Sequence, residues 1–297
     1  MKRILSTLIL SAAAFAAASA QSMPSLLIPT DPISASVAGS GIAREATAYA
    51  VADNASAMAF TSGTFAVAAS YGMWAPKAAD SQLINAAGYY RLSDKAVLGL
   101  SGTFCIDRQT SITNANGAVT GTYSPKDIVA RVGASYLITD CLSAGVTAKM
   151  IHSSIGPDLS GTAFGGDVSV MYSQNSLSAS LAVCNLGTAI KYGSTSYSMP
   201  MYARAGAAYS AVGLSVSAEA DYLFEGAFAA ALGAEYSIAD IAAVRAGYHY
   251  GAKDKGIPSY ASVGLGVKYA GVELNAAFLL ASKTLGNTLL LGLGYSF

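Results

Sequence analysis

Catalysis needs a nucleophile, a base within hydrogen-bond reach and a group that orients the base. The sequence offers few such sets. There are two histidines: His152 beside Ser153 and Ser154, and His249 four residues after Arg245. In an extended chain neighbouring side chains point to opposite faces, so a His152–Ser153 pair is badly placed for proton transfer. Glu219, Asp221 and Glu235 could form a pair of acid and base carboxylates. A salt-bridged or solvated polar interior accounts for them more simply. Cys105, Cys141 and Cys184 have unrelated spacings and make neither a metal motif nor a disulfide framework, with a Cys105–Cys184 bridge left open. Gly264–Gly266 and Gly292–Gly294 are Gly-x-Gly pairs, but they sit inside strand patterns rather than phosphate loops. The expectation is a non-enzymatic protein with no metal and no cofactor.

The elements that carry these residues read as strands. Apolar and small polar residues alternate over about fourteen segments from Ser62 onward. Seven segments end on an aromatic residue in phase with the apolar stripe: Tyr90, Tyr136, Tyr172, Tyr209, Tyr236, Tyr269 and Phe297. Each precedes a tight turn or the last position. Rings repeated at one edge of an apolar band are what a bilayer interface selects. Longer connections, chiefly 108–126 and 187–200, follow the other strand ends, where Tyr71, Phe104, Tyr222, Tyr250 and Phe278 fall. Short periplasmic turns and long external loops are usual for transmembrane barrels, so the seven rings are expected to form a periplasmic girdle. Phe297 and its strand are expected to be read by the barrel-assembly machinery.

The out-of-phase face carries Arg131, Lys149, Asp167, Arg204, Glu219, Asp221, Glu235, Arg245, His249, Lys268 and Glu273, with Asn275. A charge facing lipid costs about 2–4 kcal/mol at the midplane, so this face is assigned to the lumen. The two signs are mixed, which points to paired charges around a narrow or plugged lumen rather than an ion-selective pore.

Composition agrees. The chain is 53% hydrophobic and 11% charged, well below the roughly 25% charged residues of soluble domains, yet its apolar runs are broken by Ser, Thr and Gly. A secreted chain of this kind enters a membrane as a closed barrel. Residues 1–20, with Lys2 and Arg3, an apolar stretch and Ala18-Ser19-Ala20, read as a signal peptide. Without it the chain has 15 basic and 17 acidic residues, a balance that excludes nucleic acid as an electrostatic partner. Residues 21–61 are expected to fold as an N-terminal plug entering from the periplasmic side. Within them Arg44–Phe60 has helical composition, with Glu45 near its start and Asp53 or Asn54 as cap or break. Residues 62–297 form the barrel.

The segment Ser36–Phe60, with Gly39, Gly41 and Ala52-Asp53-Asn54-Ala55-Ser56, resembles the N-terminal signature of the PorV/PorQ family. The likeness continues through Tyr123-Ser124-Pro125-Lys126-Asp127, Asn185-Leu186-Gly187, Arg245-Ala246-Gly247-Tyr248 and Leu285-Gly286-Asn287-Thr288. It departs at Thr61-Ser62-Gly63, where the family has Asn-Pro-Ala. The resemblance implies a fourteen-stranded outer-membrane barrel with an N-terminal plug, related in architecture to long-chain fatty-acid transporters. It also implies a link to type IX secretion in Bacteroidetes. The main expectation is a barrel in the outer membrane of a Gram-negative cell that docks secreted cargo or secretion-system proteins. Its longest loops, with Tyr192, Tyr197 and Met199, would form the docking surface. The alternative is a FadL-like transporter of hydrophobic or small solutes, with Glu45, Asp53, Arg131 and Arg245 near the gate.

Overall fold

The computed structural model describes residues 23–239, 241–252, 256–281 and 286–297. The expected signal peptide lies outside them. The strands, in chain order, are β1 (Phe65–Trp74), β2 (Ser81–Arg91), β3 (Ala96–Ile106), β4 (Thr110–Thr113), β5 (Val119–Tyr123), β6 (Lys126–Thr139), β7 (Leu142–Gly156), β8 (Leu159–Gln174) and β9 (Leu177–Gly187). They continue as β10 (Ile190–Tyr192), β11 (Thr195–Tyr197), β12 (Tyr202–Ala211), β13 (Leu214–Leu223), β14 (Ala227–Ile238), β15 (Ala242–Tyr250), β16 (Tyr260–Tyr269), β17 (Val272–Leu280) and β18 (Thr288–Ser296).

Fourteen of these form one closed antiparallel barrel, in which each strand pairs with its neighbours in sequence and β18 returns to β1. The seam is held by Phe65 N–H to Phe297 O (3.0 Å) and Phe297 N–H to Phe65 O (2.9 Å). Closure leaves no strand edge unpaired. The remaining four strands form two small hairpins, β4–β5 and β10–β11, within the long connections. β7 and β8 run longer than the alternation indicates, so only residues 157–158 join them. His152 lies inside β7.

One end of the barrel has tight turns. Val212-Gly213 and Ala270-Gly271 both take positive φ at both positions (51° and 78°, 49° and 81°), the backbone of a type I′ hairpin turn. The other end carries the longer loops.

Residues 23–61 run through the interior. A 3-10 turn (Pro24–Leu27) lies at the loop end, where Met23 and Leu26 pack with Val129, Ile151, Ile190 and Tyr192. Helix α1 (Pro32–Ser36) follows, then α2 (Ala50–Asp53) and a 3-10 turn (Ala55–Phe60), after which the chain reaches β1 at the turn end. The segment thus spans the lumen from the loop end to the turn end, rather than only entering from below. Asp31 caps α1 by accepting from Ile33 N (3.0 Å) and Ser34 N (2.8 Å), with Pro32 as the first helical residue, a strong start signal. Gly39 at φ 83° closes it, donating to Ser34 O, as a helix C-terminus favours. Asn54 breaks the later stretch and caps the 3-10 turn through Ser56 N.

Inward glycines make room for this segment. A Cβ on Gly145 would lie 2.2 Å from Ser56 N, and one on Gly264 would lie 2.2 Å from Ser36 Cβ. The interior is otherwise filled by small clusters, including Ala35, Ala38, Leu83, Cys105, Tyr260 and Leu290. Among the described residues all three cysteines are free, so the Cys105–Cys184 bridge is absent.

Candidate lumen site

Three charge clusters join the plug to the wall. In the first, Arg204 on β12 holds three carboxylates: Asp53 of the plug (2.6 Å), Asp221 (3.3 Å) and Glu219 on β13. Strand register brings two of them together, since Arg204 lies directly opposite Asp221 and Glu219 opposite Gly206. Glu219 also accepts the Ile42 N–H at 2.8 Å. Asn54 donates to Ile42 O (2.6 Å) and Ser180 (3.0 Å).

In the second cluster, Arg44 of the plug and Arg245 on β15 share Glu235 on β14, and Arg245 also donates to Asn275 at 2.8 Å. In the third, Lys149 pairs with Asp167 (2.7 Å) and donates to Asn185 (2.7 Å). Asn185 sits at φ 59° beside a register shift between β8 and β9, and its N–H returns to Asp167 at 2.8 Å. Four cations, Arg44, Lys149, Arg204 and Arg245, are thereby held largely out of water with their counter-charges, the condition under which buried charge is tolerated.

Arg131 is buried but has only the Thr103 hydroxyl, at 2.8 Å, as a hydrogen-bond partner among the described residues. His249 is buried and stacked on Tyr260, with ring centroids 5.0 Å apart. Lys268 and Glu273 face each other across β16–β17. However, Lys268 is exposed and Glu273 half-buried, and no ion pair joins them among the described residues. Both line the open mouth at the turn end, along with the exposed Glu45. Strand parity gives the face of a residue but not its depth in the barrel.

The seven aromatics of the turn end all lie on the outward face, from Tyr172 at 38% exposed to Tyr269 at 77%. Tyr71, Phe104, Tyr222, Tyr250 and Phe278 point outward nearer the loop end. The loop residues are placed differently from expectation. Tyr192 and Met199 are buried, packed on Ile151 and Ala163, and Tyr192 donates to Ser153 at 2.6 Å. The β10–β11 connection folds over the lumen as a cap and does not offer these side chains as a docking surface. Its aromatic residues read as exposed because a loop sequence carries no strand phase. His152 meets the Thr162 hydroxyl at 3.0 Å, while Ser153 points inward to Tyr192. No Ser–His pair is assembled there.

Three cavities run in series along the plug. One of about 110 Å³ lies under the loop end, lined by Leu26, Ile28, Asp53, Arg131, Arg204 and His249 among others. A small one of about 30 Å³ follows, then one of about 600 Å³ that opens at the turn end beside Arg44, Glu235, Lys268 and Phe297. Tyr49 of the plug lines all three. Sequence reading passed over Tyr49, Arg44 and Asp31. The Asp31-Pro32 pair was the signal for the last.

Burial pushes the Asp31 carboxyl up to about 6, with Asp53 adding to the rise and the Ser34 N–H opposing it. A folded-state value above the unfolded one means that the folded form binds the proton more tightly. This contribution to stability is full below about pH 4, the unfolded value, and is lost as pH rises through about 6. The urea midpoint of the wild type relative to Asp31→Asn should therefore rise as pH falls from 7 to 4. A constant difference would refute this.

No protein-family model and no curated protein matches the sequence. Solved structures do match. The toluene transporter TbuX of Ralstonia pickettii is 14% identical over 91% of this chain and 99% of its own, with a TM-score of 0.68. The toluene transporter TodX of Pseudomonas putida gives 13%, 90%, 97% and 0.65. A FadL homologue from Pseudomonas aeruginosa gives 13%, 91%, 99% and 0.64. At such identities the shared property is the fold, and this chain has the closed fourteen-strand barrel of known toluene transporters.

Proposed function

We propose that the chain is an outer-membrane barrel through which small hydrophobic compounds pass, in a lumen that its own N-terminal segment closes. The observation that carries this reading is the series of three cavities along the plug, interrupted around Tyr49. A wall with a solid interior would need no such spaces, and an open pore would not interrupt them. Similar structures that are toluene transporters support the same reading. The outward face, with Leu100, Leu181, Leu232 and Leu265 each more than half exposed, then meets lipid. The turn-end rings sit at the periplasmic interface, and β18 is the strand offered to the assembly machinery. Docking of secreted cargo has weaker support, because the cap buries Tyr192 and Met199.

The test is uptake of a labelled monoaromatic compound at limiting concentration by Gram-negative cells with and without the protein. Faster uptake, by several-fold, is the expected result. Equal rates, with the barrel shown to be in the outer membrane, would remove the proposal.

A further inference from the structure

We infer that the loop-end cavity binds a short alkylammonium ion, its charged head between the carboxylates of Asp53 and Asp221 and its tail on the apolar side. The first ground is charge. Among the described residues the lining carries three carboxylates, Asp31, Asp53 and Asp221, against two cations, Arg131 and Arg204. Arg204 also holds Glu219, so four acids draw on two guanidiniums. The other buried cations, Lys149 and Arg245, are engaged with Asp167 and Glu235. Charge held out of bulk water without compensation is costly. Water can meet the hydrogen bonds of these acids but not their charge, and a bound cation meets both.

The second ground is access. Asp53 and Asp221 each give Arg204 one oxygen, Oδ1, and each Oδ2 accepts no hydrogen bond among the described residues. Their side chains remain 26% and 20% exposed, so a ligand in the cavity they line can reach them. The third ground does not depend on the acids. Tyr260 lines the same cavity and is only 3% exposed. Its hydroxyl lies 3.9 Å from where a Cβ on Gly39, another lining residue, would stand. That hydroxyl has no hydrogen-bond partner among the described residues and, unlike the Tyr49 hydroxyl, is not closed to water. Strand register puts it level with the acids: Tyr260 faces His249, His249 faces Ala231, and Ala231 faces Glu219, two residues from Asp221. Two carboxylate oxygens and one phenol oxygen are three acceptors, and a primary ammonium brings three donors. Bonds from such a head to carboxylates are short and strong.

Size and lining limit the rest of the ligand. No three His, Cys, Asp or Glu side chains among the described residues are grouped to hold a metal ion, which disfavours a divalent cation. Leu26, Ile28, Leu223 and Ile257 give the cavity an apolar side, which a bare sodium ion would leave uncovered. The volume of about 110 Å³ is somewhat below the ~150 Å³ of an engineered cavity that accepts benzene. An amine of about four carbons suits that space.

The inference goes beyond the passage reading and does not rest on it, because binding here requires no transport. The experiment is calorimetric titration of the purified full chain, in non-ionic detergent at fixed sodium chloride concentration, with butylammonium and with butan-1-ol, its neutral isostere. Butylammonium should bind at least tenfold more tightly than butan-1-ol. Asp221→Asn should lose at least tenfold in butylammonium affinity and Tyr260→Phe a few-fold, while butan-1-ol should respond to neither change. Equal binding of the two probes, no butylammonium binding, or an unchanged affinity in Asp221→Asn would overturn the inference. If Asp221→Asn does not fold, Tyr260→Phe and the ratio of the two probes on the wild type decide. The two readings fail separately. Butylammonium binding without uptake of the monoaromatic compound sinks only the passage reading, and uptake without butylammonium binding sinks only this one.

Discussion

Arg204→Met is expected to lower the unfolding free energy by about 3–5 kcal/mol, the range found when one partner of a buried ion pair is removed. The change leaves Asp53, Glu219 and Asp221 facing one another with no cation between them. Methionine fills much of the volume, so the loss isolates the charge. Trp74, the one tryptophan, packs at the loop end of the interior with Leu83 and Tyr260 and serves as a fluorescent probe of urea unfolding. Adding Asp53→Asn, Glu219→Gln and Asp221→Asn to Arg204→Met should recover part of the stability, because uncompensated carboxylates cause the defect. If the single variant and the wild type share a midpoint, or if neutralising the acids gives nothing back, the cluster is not what ties the plug to the wall.

Gly145→Val should produce the largest functional change. A Cβ at this position would sit 2.2 Å from Ser56 N, 2.6 Å from Ala55 C and 2.8 Å from Ser56 Cα. All three are backbone atoms, so no side-chain rotation relieves the clash and the 3-10 turn must leave its seat. The strand itself tolerates valine, which has high strand propensity. The barrel should therefore close while the plug is displaced, giving a steady conductance in planar bilayers where the wild type is expected to give none. Gly102→Val is the control, since a Cβ there meets nothing within 4 Å. A silent Gly145→Val that is folded and inserted would show that the plug does not occlude the lumen.

The barrel was legible because two independent periodicities describe it. Alternation along each strand separated Leu265 and Val267 from Gly266 and Lys268, and connection length separated the two ends. Both reflect local backbone geometry, which a single strand reveals without its neighbours. The plug was less legible. Helical composition over Arg44–Phe60 offers Asp53 or Asn54 as the cap or break, and Asn54, at φ −148°, is where the chain divides into α2 and a 3-10 turn. What decides that break is tertiary, since the Asn54 amide bonds Ile42 O and Ser180 across the lumen. Strand parity groups the lumen charges on one face, but it does not give their pairing. Arg131, Lys149, Arg204 and Arg245 look alike in sequence. Only inter-strand register, and the plug residues Arg44 and Asp53, decide which of them find carboxylates. The burial of Tyr192 and Met199 is the same lesson in a loop, because a cap is defined by what it covers.

The seam between β1 and β18 has a consequence for the order in time in which the molecule forms. The other barrel contacts join strands close in sequence, whereas Phe65 must find Phe297 across nearly the whole polypeptide. Loop-closure entropy makes that encounter the slow one, so the last hydrogen bonds to form should be those of the seam. Until then the sheet is an open trough, and the inward glycines are a mould exposed along its floor. The N-terminal segment, first to be made, can lie down in that mould before the walls meet. The barrel would then mature around its own contents, and substitutions that keep the segment from settling would be felt as slow closure as well as a leaky lumen.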